Sequence, residues 1–124
     1  MFTDTHAHLY AEEFNEDRSA MIRRALDAGV NRFMLPNIDQ DSIAPMMHLC
    51  DEFPENCFPM MGLHPCSVNE DFEEVLKGMK SDFSKRKFYG VGEIGIDLYW
   101  DKTFIEQQKE AFKMQLNWAL ELEL

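Results

Sequence analysis

Two histidines one residue apart, His6 and His8 in Phe2-Thr3-Asp4-Thr5-His6-Ala7-His8-Leu9, are the residues in this chain most suited to chemistry. At the end of an extended segment, alternate residues project to one face. Two neutral imidazoles side by side make a ligand pair for a divalent metal. The competing reading is a chance pair in a terminal turn. Glu93 is the second candidate, set between Gly92 and Gly95 in an otherwise apolar run. A carboxylate inside a strand costs several kcal/mol, ~3 or more, unless it is paired or binds a cation. A solvent-facing glutamate in a glycine-loosened strand is the alternative, but the flanking glycines suit close backbone approach to a site. His64, in Gly62-Leu63-His64-Pro65, is placed to hold a substrate phosphate or a water, though a His-Pro pair can simply end a strand. Asp97 fits substrate binding and loop bracing equally. Asn37 is a weaker substrate-binding candidate, because polar strand ends are common.

These residues need elements to position them. Phe2–Thr5 reads as a strand, and a helix follows from about Asn15 to Ala28, with Gly29 as its stop. Arg32–Pro36 is a second strand and Asp41–Phe53 a helix with Ile43, Met46, Met47, Cys50 and Phe53 at helical spacing. Cys57–Gly62 is a third strand, followed by a helix capped near Asn69. Phe88–Ile94 is a fourth strand, and the last helix runs from near Thr103 to the end. Four βα units in series predict a parallel sheet with helices packed on it. On that scheme His6 and His8, Asn37, His64, and Glu93 with Asp97 all fall at the C-terminal ends of successive strands. That is where a β/α barrel builds its active site.

Composition narrows the partners. The chain has 124 residues and a net charge of -11, from 12 basic and 23 acidic side chains. A broad basic surface that wraps nucleic acid is excluded. A phosphodiester held through bound cations is not, because a cation inverts the local electrostatics. Three cysteines without CxxC spacing read as reduced thiols, and Cys66 reads as a packed or idle thiol near a histidine. No apolar run approaches membrane-spanning length, no basic segment followed by an apolar stretch opens the sequence, and the expected compartment is the cytoplasm. Tyr99 and Trp100 read as an apolar plug over the site, with base stacking as the alternative.

Thr5-His6-Ala7-His8-Leu9, Gly62-Leu63-His64-Pro65 and Gly92-Glu93-Ile94-Gly95-Ile96-Asp97 together resemble the N-terminal signature segments of the TatD family of metal-dependent deoxyribonucleases, within the amidohydrolase superfamily. Gln108, Phe112, Gln115 and Leu116 in the last helix are similar to that family as well. The resemblance implies a TIM-type (β/α)8 barrel, of which residues 1–124 supply the first four βα units as the N-terminal half of one domain. It implies two divalent ions (Mg, Mn or Zn) in the complete protein. His6 and His8 would hold one, Glu93 would bridge the two, and His64 would help hold the phosphate. Metal-activated water would cleave DNA or a small phosphodiester. The family's two later histidines and its late aspartate have no counterpart in these residues. Half a barrel leaves sheet edges unpaired, so the expectation is either a piece of a longer chain or self-association through those edges. The 124 residues alone are expected to bind a divalent ion weakly and turn over little. Two other functions stay open, an amide- or phosphotriester-cleaving amidohydrolase and a non-catalytic metal-binding or interaction module.

Overall fold

Three short parallel strands form the sheet in the order β1-β2-β3. The structure is a computed structural model and describes all of residues 1–124. Strand β1 is Phe2–Asp4, β2 is Val30–Pro36 and β3 is Cys57–Met60. Helix α1 (Arg18–Asp27) returns the chain from β1 to β2, α2 (Gln40–Glu52) from β2 to β3, and α3 (Phe72–Asp82) and α4 (Ile105–Leu122) follow. β2 pairs with β3 from Phe33↔Cys57 to Pro36↔Met60 without interruption. β1 pairs with β2 across a bulge between Phe2 and Thr3, and all three of its residues are exposed.

The apolar faces meet in one core. Ile22 from α1, Phe33 and Leu35 from β2, Met46 and Leu49 from α2, Leu76 and Met79 from α3, and Ala111 and Trp118 from α4 are all buried in it. Helix α2 starts sharply because Asp39 and Ser42 cap each other. The Ser42 amide donates to Asp39 Oδ1 at 2.9 Å, and Ser42 Oγ accepts the Asp39 amide at 2.9 Å. Both bonds satisfy donors that a helix start otherwise leaves unpaired. The cap expected at Asn69 is not the one used, since α3 begins three residues later behind Asp71.

The expected fourth strand is the main departure. Phe88–Ile94 is extended but makes only one ladder bridge, Met61↔Val91. It follows β3 briefly: the Tyr89 amide donates to the Pro59 carbonyl, the Met61 amide to Gly90 and the Gly92 amide to Met61. Then it leaves β3 for the end of β2. The Asn37 amide donates to the Gly92 carbonyl at 2.9 Å and the Glu93 amide to the Asn37 carbonyl at 2.9 Å. Gly62 permits this crossing. A Cβ there would lie 2.7 Å from the Gly92 carbonyl carbon and 2.9 Å from the Glu93 oxygen, both backbone atoms.

Asn37 proves to be the knot in that crossing and not a substrate contact. Its side chain is 0% exposed. Nδ2 donates to the Asp39 carbonyl at 2.8 Å and to the Gly62 carbonyl at 2.9 Å, and Oδ1 accepts from Ser42 Oγ at 2.9 Å. With every polar atom engaged and none facing solvent, it has nothing to offer a ligand.

Two measurements test this arrangement. Gly62→Ala should cost about 1–3 kcal/mol, the usual penalty for overpacking, because backbone rather than a pliable side chain must move; a urea midpoint equal to wild type would contradict the close approach. Cys50 and Cys57 are buried, and burial pushes their thiols up to about 11 and about 12. Cys66 is exposed. An alkylating reagent at neutral pH should therefore label Cys66 in the native chain and reach the other two only in denaturant. Native labelling of Cys50 or Cys57 at the Cys66 rate would count against this core.

Candidate metal centre

Three of the four histidines converge on one carboxylate, while His48 lies exposed on α2. β1 ends at Asp4, whose Oδ1 accepts the His6 amide at 3.0 Å and turns the chain so that His6 and His8 face the Gly92–Glu93 crossing. His6 Nε2 lies 3.1 Å and His8 Nε2 3.2 Å from Glu93 Oε2, and the two imidazole nitrogens are 3.1 Å apart. His64 approaches from the other side, with Nε2 3.3 Å from Glu93 Oε1. Residues 85 positions apart in the chain, His8 and Glu93, thus share one site.

Hydrogen-bond partners assign different jobs to the rings. Tyr10 donates its hydroxyl proton to the Pro36 carbonyl. Its oxygen is then free only to accept, and His8 Nδ1 lies 2.8 Å away. His8 therefore carries a proton on Nδ1, and the neutral ring aims its Nε2 lone pair at Glu93. His64 is the reverse. Its Nδ1 accepts the Cys66 amide at 3.1 Å, which places the proton on Nε2, facing Glu93 Oε1. A ring with a lone pair forward is a metal ligand, and a ring with N–H forward is a donor to an anion. Burial holds the Tyr10 hydroxyl well above the ordinary phenol range, with the nearby Asp39 and Glu93 carboxylates adding to it. It stays a neutral donor.

The His8–Glu93 contact sets one acceptor against another, so it needs a proton or a cation between them. The donor set suits a cation. Three atoms with edges of 3.1, 3.1 and 3.2 Å match one face of a coordination shell, whose ligand–ligand spacing is about 3.0–3.4 Å for bonds of about 2.0–2.1 Å. His6, His8 and Glu93 form a group whose ligand atoms lie close enough to share an ion.

Asp97 does not join this group. Its Oδ1 accepts the Tyr99 amide at 2.8 Å, its Oδ2 lies 3.4 Å from the Cys66 thiol, and its backbone is clamped by Gln108. The geometry is that of a loop brace. Tyr99 and Trp100 are 82% and 80% exposed and stack edge-on against each other, so they are not packed down as a plug.

Three further residues support the centre from behind. Arg18, at the start of α1, donates to the carbonyls of Leu9, Tyr10 and Ala11, tying down the loop behind His8. Gln115, buried on α4, accepts the Leu63 amide at 2.7 Å and donates to the Leu63 carbonyl at 3.3 Å, fixing the residue before His64. Tyr10 sits two positions from a ligand, and its apolar ring reads as core until its hydroxyl is followed. The pairing of Gln108 and Gln115 seven residues apart was the one cue available, since two turns of helix place both amides on one face.

Comparison with known proteins shows what the chain is similar to. The family model described as TatD-related DNase matches residues 3–124. A metal-dependent hydrolase of Bacillus subtilis, YabD, is 34% identical over 124 residues, all of this chain and 48% of the relative. The 3'-5' ssDNA/RNA exonuclease TatD of Pantoea vagans is 28% identical over 98% of this chain and 46% of its own length. The crystal structure of the TatD homologue YjjV from Escherichia coli superposes with a TM-score of 0.88 at 30% identity, covering 99% of this chain and 48% of that one. The chain spans about half the length of the curated relatives it matches, and its structural neighbours are TIM barrels covered in their N-terminal half. By motif, architecture and family match, this chain belongs to the TatD-related DNase family.

Proposed function

We propose that these residues carry part of the divalent-metal centre of a hydrolase that cuts phosphodiester bonds in nucleic acid, with residues 1–124 as the first half of one barrel domain. The observation that carries the reading is the triangle of His6 Nε2, His8 Nε2 and Glu93 Oε2. Relatives named as metal-dependent hydrolase and as ssDNA/RNA exonuclease support the class of reaction. When bound, a divalent ion supplies Lewis acidity and lowers the pKa of water.

The chain's own residues do the rest. His6 and His8 offer neutral nitrogen and Glu93 offers oxygen, a mixed set that suits Zn or Mn, with Mg also open. Glu93 directs Oε2 to the histidine pair and Oε1 to the opposite side, the disposition required of a carboxylate shared between two ions. His64 presents its Nε2–H beside that second oxygen and would donate to a phosphate oxygen arriving there. Three ligands leave positions open, so further ligands must come from outside these residues. Exposed β1, with Phe2 68% exposed, offers an edge for more barrel or for a second copy. No helix is long and apolar enough to cross a membrane. Three unpaired cysteines fit a reducing compartment such as the cytoplasm.

The test is a cleavage assay with calorimetry. A closed barrel carrying these residues should cleave a single-stranded oligonucleotide with Mn²⁺ or Mg²⁺, lose all turnover with a chelator, and lose at least about 100-fold on Glu93→Gln. Hydrolysis of an amide or phosphotriester with DNA untouched would select the other amidohydrolase chemistry. Residues 1–124 alone should bind one divalent ion, lose that binding on His8→Ala, and turn over little.

A further inference from the structure

We infer that Tyr10 is a positioning residue of this centre, its hydroxyl holding His8 in the tautomer and orientation that present Nε2 to a cation. The inference rests on the metal reading above and extends it to a side chain that touches neither ion nor substrate.

The geometry is a relay of direct contacts. The Pro36 carbonyl stands at the end of β2, fixed by the pairing of Pro36 with Met60 of β3. Tyr10 is buried, and its single hydroxyl proton goes to that carbonyl. Only oxygen lone pairs then face His8 Nδ1 at 2.8 Å. The two rings stand perpendicular, at 89°, so the phenol meets the imidazole along its edge, where a nitrogen can donate. Arg18 grips the backbone on either side through the Leu9, Tyr10 and Ala11 carbonyls. Sheet, phenol, imidazole and carboxylate are thus linked in series. Groups that bond the far nitrogen of a metal-ligating histidine fix its tautomer and raise its basicity, and their loss typically costs about 10–100-fold in metal affinity.

The competing account makes Tyr10 a core ring whose hydroxyl merely satisfies Pro36. Phenylalanine would then serve as well, and His8 would be free to adopt the Nε2–H form common in free histidine. That form would block the ligand position. His64 provides an internal contrast, held in the opposite tautomer by the Cys66 amide.

Nitrogen-15 NMR of the imidazoles in the metal-free chain, at a pH where the rings are neutral, reads the tautomers directly. Wild type should show His8 protonated on Nδ1 and His64 on Nε2. Tyr10→Phe should shift His8 toward the Nε2–H form and leave His64 unchanged, and Zn²⁺ or Mn²⁺ affinity by calorimetry should fall about 10–100-fold. A wild-type His8 protonated on Nε2 overturns the inference, and so does a Tyr10→Phe protein with unaltered His8 signals and metal affinity. Should Tyr10→Phe fail to fold, the wild-type spectrum still decides. A wild type with the expected tautomers that binds neither metal would overturn the metal reading and leave the Tyr10–His8 clamp standing.

Discussion

Two imidazole nitrogens held against one carboxylate oxygen, Glu93 Oε2, make the contact on which this structure turns. With no proton or cation between them, Glu93 Oε2 and His8 Nε2 at 3.2 Å would drift apart, because two acceptors gain nothing by facing each other. Covalent and backbone constraints prevent that drift. Glu93 is hung from the Asn37 carbonyl through its own amide, and Gly92 is gripped from both sides by Asn37 and Met61. Gly62 lets the two backbones pass within contact distance. On the proposed reading this is preorganisation for a cation: the fold holds the ligand atoms together, and binding relieves their repulsion.

The same logic explains why three similar rings do not do the same thing. His8 and His64 both point Nε2 at Glu93, yet a hydroxyl oxygen behind one and a backbone amide behind the other give them opposite protons. On the proposed reading one is a ligand, the other a donor to anionic oxygen, and His6, the most exposed of the three, completes the ligand face. Roles within the centre are therefore written by what stands behind each ring, one residue deeper than the ligands themselves.

That depth marks the limit of what the sequence discloses. His6, His8, His64 and Glu93 are legible because their types are costly or unusual where they stand, and because βα alternation brings strand ends together. Asn37 and Asp97 give the same outward signal, a polar residue at a strand end, and only their partners reveal an interstrand knot and a loop brace. Gln115 and Arg18 act on backbone atoms, 52 residues away in the chain for Gln115 and seven to nine for Arg18, and backbone atoms carry no sequence signature. The fourth strand departs from its sequence pattern for a related reason. Its apolar pattern is that of a strand, but Gly90 and Gly92 pack directly under Met60, and the backbone bonds of the segment divide between β2 and β3 in place of a single ladder.

On the proposed reading, charge ties the centre to its substrate. A chain with a net charge of -11 repels a polyanion at long range, and Glu93 repels a phosphate at short range. Exposed surface charge is screened over about 8–10 Å in physiological salt, so the distant acidic residues matter little once contact is made. Glu93 is different, since it sits within the site and partly out of water, where its field is least screened. The ion that satisfies the carboxylate also removes the nearest obstacle to a phosphate and leaves His64 Nε2–H as a free donor beside it. On the proposed reading, cation binding and phosphate binding are two consequences of one neutralisation. The metal comes first because without it the site presents a negative charge to a negatively charged substrate.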